Sequence, residues 1–145
     1  MLYLVFNEGY SATTGDVVVR RSLCDEARRL ARLLVHVAPG EAEARGLAAL
    51  MALQASRLEA RVDAAGDPVL LDEQDRGLWD QASIQEGLAE LQRAMDASAT
   101  PGYYTLQAAI AACHARAARP ADTDWMAIVH LTPRSWRWPR RPSWP

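Results

Sequence analysis

The sequence predicts an all-α protein built from αα-hairpins, and two observations carry this prediction. Apolar residues recur with a helical period over residues 22 to 58 and again over residues 79 to 117. Each of these stretches contains one Pro-Gly pair, Pro39 with Gly40 and Pro101 with Gly102. Such a pair ends one helix and is followed by the next. We therefore expect two hairpins of two helices each.

In the first predicted hairpin, Ser22 is placed to cap the first helix, with Asp25 and Glu26 in a first turn where the dipole favours acids. The residues expected on its apolar face are Leu23, Ala27, Leu30, Ala31, Leu34 and Val37. The second helix is expected over residues 41 to 58, and its apolar positions are Leu47, Leu50, Met51 and Leu58.

The second predicted hairpin has one helix over residues 79 to 95 and another over residues 103 to 117. The apolar positions of the first of these are Ile84, Leu88, Leu91 and Met95. The helix after each Pro-Gly pair is rich in alanine, and small residues on facing helices allow the close backbone approach of stacked helical repeats. The sequence therefore predicts a helical-repeat array similar to tetratricopeptide (TPR) proteins.

The spacing of the two Pro-Gly pairs is about 62 residues and exceeds the ~34 of a TPR unit, which indicates an insertion between the hairpins. We place this insertion at residues 59 to 78. Short alternating runs, at residues 61 to 63 and 68 to 71, flank a turn that contains Gly66. A short β-hairpin or an extended loop is expected, and Pro68 would restrict any strand to an edge.

Length and composition favour a single helical domain over residues 1 to 131, followed by an irregular tail at residues 132 to 145. The formal net charge of -2 and the pI of about 5.9 argue against direct DNA binding. Two distant cysteines do not form a disulfide framework and are typical of a reduced cytoplasmic setting. No apolar run approaches the ~20 residues of a membrane span, so no membrane association is expected.

Three polar clusters are candidate sites, and the first consists of Asn7, Glu8, Gly9 and Tyr10 after an apolar N-terminal run. Gly9 can adopt a positive φ as a helix C-cap, and the side chains of Asn7 and Glu8 can bond loop amides. From the residues alone we prefer the structural interpretation of a helix end.

The second cluster consists of Asp75, Arg76, Trp79 and Asp80. Asp75 can cap a following turn, and Arg76 can pair with a carboxylate or lie over the Trp79 ring. A buried arginine-aspartate pair would fix the insertion to the helices. We prefer this structural role to direct contact with a partner.

The third cluster consists of His114, Asp122, Asp124, Trp125 and His130. Histidine and aspartate can bind divalent metals, but their spacing here matches no ligand signature. Asp122 and Asp124 are more simply interpreted as capping residues before an apolar helix.

The sequence does not predict an enzyme. Cys113 and His114 are adjacent in a helix, and their side chains therefore point about 100° apart, which suits a nucleophile and base poorly. No glycine-rich phosphate loop or serine elbow appears, and no cofactor or metal is expected.

The tail at residues 132 to 145 contains four arginines, three tryptophans and four prolines and has no periodic apolar face. Interleaved Arg and Trp could contact nucleic acid or an acidic membrane. We prefer the interpretation of a tail without such a role, because charged and aromatic content without a supporting fold is weak evidence.

Four segments carry a resemblance to a known family. They are LYLVFNEGYSATTGD at residues 2 to 16, ARVDAAGDPVLLDEQDRGLWD at 60 to 80, YYTLQAAIAACHA at 103 to 115 and ADTDW at 121 to 125. The chain resembles the accessory C-terminal domain of one group of bacterial extracytoplasmic-function (ECF) sigma factors. The sequence shows neither the promoter-melting domain nor the helix-turn-helix of such factors. It therefore resembles a C-terminal piece of a longer protein.

The resemblance implies a regulatory or scaffolding part in transcription initiation, through contacts with the sigma factor core domains or RNA polymerase. It also implies that residues 7 to 10, which follow the promoter-reading domain in such factors, are a hinge or a docking surface. The alternative is a free-standing helical-repeat adaptor that binds a protein or peptide in its groove. An enzyme is a distant third interpretation.

Overall fold

The computed structural model describes residues 3, 4, 6 and 17 to 131, and this part of the chain is all-α. The helices are α1 (Val17–Val37), α2 (Ala42–Ala55), α3 (Gln81–Ala97), α4 (Tyr103–Arg116) and α5 (Trp125–Leu131). Four single turns of 3₁₀-helix lie in the connections, three of them between α2 and α3. None of the described helices combines the length and the apolar character needed to cross a membrane.

Helix α1 begins at Val17, so the predicted cap at Ser22 is wrong. Ser22 lies more than one turn inside the helix, and Asp25 and Glu26 lie more than two turns inside it. The sequence misplaced this boundary because Val17, Val18 and Val19 are β-branched and disfavour a helical start by intrinsic propensity.

The apolar face predicted for α1 is only partly buried. Ala27 and Ala31 are buried together with Cys24 of the same helix, whereas Leu34 and Val37 are 40 % and 72 % exposed. These three small side chains pack against a cluster that contains Phe6, Leu47, Ala48, Met51 and Ala55. Because the helix docks through small residues, the larger leucine and valine side chains lie on its flank.

Helix α2 is the central helix of the described fold, and glycines bring two neighbours close to it. A Cβ at Gly46 of α2 would lie 2.4 Å from Thr105 Oγ1 and 2.7 Å from Thr105 N on α4. A Cβ at Gly87 of α3 would lie 2.7 Å from Leu53 Cγ on α2. Only residues without a side chain fit at these two crossings. The core therefore depends on direct approach of helix backbones.

The apolar positions predicted for α3 are divided in the same way. Ile84 and Leu91 are buried, as predicted. Leu88 is partly buried, and Met95 is 44 % exposed, so its predicted place in the core is wrong. Met95 lies in the last turn of the helix.

The start of α4 is capped by a side chain from α2. Glu43 Oε2 accepts a hydrogen bond from Tyr104 N at 2.8 Å, and Glu43 Oε1 accepts from Thr105 Oγ1 at 2.7 Å. A Cβ at Gly102 would lie 2.4 Å from Glu43 Cδ, so the glycine of the second Pro-Gly pair leaves room for this carboxylate. A carboxylate at this end of a helix is also favoured by the dipole.

Ion pairs attach the flanks of α1 and α2 to α3. Glu86 on α3 accepts from Arg28 at 2.9 Å and from Arg32 at 2.7 Å, and Arg32 is bidentate. The hydrogen bond from Arg32 is the main cause that lowers the pKa of Glu86 below its ordinary range. Arg45 on α2 reaches Glu90 at 3.1 Å.

The insertion between α2 and α3 contains three single 3₁₀ turns and one isolated antiparallel bridge, between Val62 and Pro68. Gly66 has a φ of 85°, which a glycine adopts without strain, and Asp63 Oδ1 accepts from the amides of Ala65 and Asp67. No strand forms within residues 17 to 131, so the ladder of a β-hairpin is absent there. Proline lacks the N–H that a continuing ladder would need.

Candidate functional site at the α4–α5 corner

The candidate site is organised around the indole of Trp79, which lies just before α3 and is 4 % exposed. Its ring is part of the core cluster that contains Ala60, Ile84 and Ala112. The indole Nε1 donates to Gln74 Oε1 at 3.2 Å. The tryptophan therefore joins the insertion to the helical body and fixes the position of neighbouring charged groups.

Arg76 lies over this ring and at the same time caps the end of α4. The Arg76 guanidinium carbon is 4.3 Å from the Trp79 ring centroid, within cation–π range. Its Nη1 donates to two backbone carbonyls, His114 O and Ala117 O, each at 2.8 Å. A cation at a helix C-terminus meets both free carbonyls and the negative end of the dipole.

Of the two contacts expected for Arg76, the position over Trp79 is confirmed and the carboxylate pair is wrong, because its acceptors are backbone carbonyls. Asp75 instead caps the turn that follows it and accepts from Gly77 N at 2.9 Å, as predicted. Asp80 caps α3 and accepts from Ala82 N at 3.1 Å and from Ser83 Oγ at 2.7 Å. These local bonds hold both carboxylates in capping positions.

The site has an excess of positive charge close to Trp79. A second guanidinium, that of Arg57, lies 5.9 Å from the Trp79 ring centroid. Burial is the main cause that lowers the pKa of Arg76, and repulsion from Arg57 adds to it, while Asp72 and Asp122 act in the opposite direction. Two Arg76 atoms, Nε and Nη2, are buried and have no hydrogen-bond acceptor.

Helix α5 adds an aromatic edge to the site. Its Trp125 contacts His114 of α4 edge to face, with ring centroids 5.5 Å apart, and is 55 % exposed. Asp124 Oδ1 accepts from Ala127 N at 3.0 Å, so this aspartate caps α5 as predicted. Asp122 pairs with Arg119 at 3.1 Å.

The fold thus unites two clusters that are far apart in sequence, because Arg76 and Trp125 both contact His114. His130 belongs to neither contact, since its Nδ1 lies 2.7 Å from Met126 O of its own helix. Among residues 17 to 131 no group of three or more His, Cys, Asp or Glu side chains could hold a metal ion. The cluster of Asn7, Glu8, Gly9 and Tyr10 lies outside the described residues.

Sequence reasoning missed three participants. Arg57 carries no sequence signal, because it precedes the insertion and reaches Trp79 only through the fold. The carbonyls of His114 and Ala117 are backbone groups that no side-chain pattern reveals. For these carbonyls, the one available signal is the predicted end of α4, where unpaired carbonyls attract cations.

Chemically, the arrangement suits binding better than covalent catalysis. Burial raises the pKa of the Cys113 thiol, which reduces the thiolate needed for nucleophilic attack. Burial also lowers the pKa of His114, and Arg57 and Arg76 lower it further, so the imidazole is neutral beside two guanidinium groups. A neutral ring, two cations and exposed aromatic surface can receive an acidic or apolar group.

We expect His114 to make the stability of the fold pH-dependent in acid. The unfolded chain takes up a proton near the ordinary histidine pKa of about 6.5, whereas the folded chain resists it. This contribution to stability is present above that pH and is lost as the pH falls below it. Only Asp72 favours protonation among the groups that act on this ring.

The Tm should therefore fall between about pH 7.5 and pH 5.5, and it should fall less steeply in His114→Gln. The same substitution at the exposed His36 is the matched control and should retain the native slope. The lowered pKa values of Glu86 and Asp80 act only at more acidic pH. Equal slopes in the native chain and in His114→Gln, measured by thermal circular dichroism, would refute this assignment.

The fold and the site define an all-α domain with close helix contacts and a cationic, aromatic corner. The chain belongs to a family of unknown function, DUF6596, whose model matches residues 1 to 95. It is similar to an uncharacterized protein of Rhizobium meliloti (strain 1021), with 56 % identity over 128 residues. That match covers 88 % of this chain but 30 % of the relative. No solved structure matches the chain.

Proposed function

We propose that this chain is an accessory regulatory or scaffolding domain of an ECF-type sigma factor. In this role it modulates transcription initiation through protein contacts with the sigma core domains or RNA polymerase. The observation that carries the proposal is the set of four segments that resemble the accessory C-terminal domain of these factors. They extend over residues 2 to 125.

Two features of the described residues support a role in protein contact. Neighbouring helices approach closely at Gly46 and Gly87, as small residues allow in stacked helical repeats, and we include a TPR-like repeat arrangement in the proposal. Trp125, Met126 and Val129 are exposed apolar residues of α5. Aromatic, methionine and arginine side chains are the types enriched at protein interfaces.

Charge supports a role that does not include direct DNA binding. Twelve of the sixteen arginines lie within residues 1 to 131, together with all eighteen acidic residues. Seven arginines of the described part are already paired with a carboxylate. A domain of this balance lacks the field that drives phosphate binding through counterion release.

The relative from R. meliloti provides a direct binding test, since the matched region is only 30 % of that protein. We expect this chain to bind the rest of that protein, or core RNA polymerase of the same organism, when the pieces are purified separately. Isothermal titration calorimetry measures both interactions. Absence of heat with both partners would refute the proposal.

A selection from a random double-stranded DNA library tests the other half of the proposal. The chain ending at Leu131 should enrich no sequence, because its net charge is acidic. Enrichment of a defined motif would contradict a function through protein contacts alone. Binding to an unrelated peptide without any affinity for the polymerase or the sigma core would instead favour a free-standing adaptor.

A further inference from the structure

Arg57 and Arg76 differ from most arginines of the described fold in having no carboxylate partner. Seven arginines form an ion pair with a carboxylate, and some of them share one. They are Arg21, Arg28, Arg29, Arg32, Arg45, Arg93 and Arg119. Arg57 and Arg76 are partly buried, and no ion pair joins either of them to a described carboxylate. Their direct contacts are with the Trp79 ring and, for Arg76, with two backbone carbonyls.

The geometry leaves specific hydrogen-bonding capacity unused. Arg76 directs Nη1 to the carbonyls at the end of α4, while its Nε and Nη2 have no acceptor although both atoms are buried. Buried donors normally have partners, and unmet donors on a charged group are costly. Nε and one Nη atom form the edge of a guanidinium that binds a carboxylate through two bonds.

The two carboxylates that act electrostatically on Arg76, those of Asp72 and Asp122, do not accept hydrogen bonds from its Nε and Nη2. Asp122 is bonded to Arg119 through both oxygens, at 3.1 Å and 3.3 Å. Asp72 is exposed in the turn Leu71–Glu73 and forms no ion pair with Arg76. These two carboxylates still act on the site at longer range, so they disfavour a dianionic phosphate more than a singly charged carboxylate.

The site borders exposed aromatic and apolar side chains of α5, which favours a carboxylate carried by a protein segment. His114 connects the guanidinium of Arg76 to Trp125, and Met126 on the same helix is 67 % exposed. Exposed apolar side chains beside a cation match an acidic residue flanked by large apolar ones.

We propose that Arg57 and Arg76, held on Trp79 beside His114 and Trp125, form a binding site for an aspartate or glutamate side chain of a protein partner. The carboxylate accepts from Nε and Nη2 of Arg76, and Arg57 beside the same Trp79 ring is the second cation; because both Arg76 atoms are buried, binding requires a side-chain movement that exposes them. The inference rests on the part of the proposed function that assigns protein contacts to this domain.

The test uses two capped tripeptides that differ only in the carboxylate, N-acetyl-Leu-Glu-Leu-amide and N-acetyl-Leu-Gln-Leu-amide. The ¹⁵N-labelled full chain is titrated with each, and the arginine Nε–H and tryptophan indole N–H resonances are followed. The Glu peptide should shift the signals of Arg57, Arg76 and Trp79 saturably and bind about tenfold or more tightly than the Gln peptide. Added salt should weaken this binding.

Arg57→Gln should remove the preference for the Glu peptide, and the matched exposed control Arg93→Gln should retain it. Equal affinity for the two peptides, or no saturable shift with either, would overturn the proposal. So would tighter binding of inorganic phosphate than of the Glu peptide.

The two levels of the proposal can fail separately. Selective binding of the Glu peptide by a chain without affinity for the polymerase or the sigma core would leave the carboxylate site standing and reject the transcription role. If polymerase binding is unchanged in Arg57→Gln and the two peptides bind equally, the carboxylate site is rejected and the transcription role stands.

Discussion

Replacing Trp79 by alanine should lower the free energy of unfolding by ~3–5 kcal/mol, the largest effect expected from any single substitution discussed for this chain. The ring is almost fully buried, forms part of the core and supports Arg76 through its π-face. Its loss creates a cavity and removes one of the contacts between the insertion and the helices. Urea unfolding followed by far-UV circular dichroism measures the change.

Trp125→Ala is the matched control for this prediction, because it removes the same type of side chain from a position that is 55 % exposed. The Trp125 ring contacts the ring of His114. This substitution should cost about 1 kcal/mol or less. Similar losses for Trp79→Ala and Trp125→Ala would mean that burial at Trp79 does not anchor the site.

A double-mutant cycle with Arg76→Ala tests whether Trp79 and Arg76 act as one unit. Arg76→Ala should cost ~1–3 kcal/mol, because it leaves the carbonyls of His114 and Ala117 without their charged donor. The two losses should sum to more than the loss in the double variant, since each substitution removes the same cation–π contact. Additive, sub-kilocalorie effects would place both residues on an ordinary solvated surface.

Gly46→Ala should have the second large effect on the free energy of unfolding. The sign of this change shows whether helix propensity or steric overlap with α4 is the larger contribution. In an isolated helix, alanine is favoured over glycine by up to ~1 kcal/mol. Here the new Cβ would lie 2.4 Å from Thr105 Oγ1 and 2.9 Å from Thr105 Cα, so α2 and α4 must move apart. Overpacking of this kind typically costs ~1–3 kcal/mol, and we expect it to exceed the gain in propensity.

The control for Gly46→Ala is Gly40→Ala in the turn between α1 and α2, where a Cβ would meet nothing within 4 Å. This substitution should change the free energy of unfolding by no more than about 0.5 kcal/mol. Stabilisation by Gly46→Ala in the same urea experiment would contradict the close crossing of α2 and α4.

The helical class and most helix positions followed from the sequence because apolar periodicity and the two Pro-Gly pairs are local signals. Helices α2 and α4 begin within one residue of the predicted positions. The start of α1 was missed since its valines argue locally against helix, and only the completed fold outweighs that preference. Leu34 and Val37 were wrongly predicted to be buried, because the apolar period does not show which of the apolar side chains of a helix face its neighbour and which lie beside the contact.

The candidate site was predictable in its residue types and only partly in its contacts. Asp75, Asp124 and the position of Arg76 over Trp79 depend on neighbours within a few residues, which sequence spacing reveals. The contacts of Arg76 with α4 join residues 38 and 41 positions apart. Their acceptors are backbone carbonyls, so neither side-chain chemistry nor spacing could identify them.

Transcription reconstituted from purified parts tests the central claim most directly. The R. meliloti relative, with its matched region deleted, is combined with core RNA polymerase of the same organism and genomic DNA, with or without this chain, and the 5′ ends of the transcripts are sequenced. We predict that adding the chain changes the amount of RNA from a discrete set of start sites. If the transcripts are identical in both reactions and the chain does not co-elute with the polymerase complex, a role in transcription initiation is contradicted.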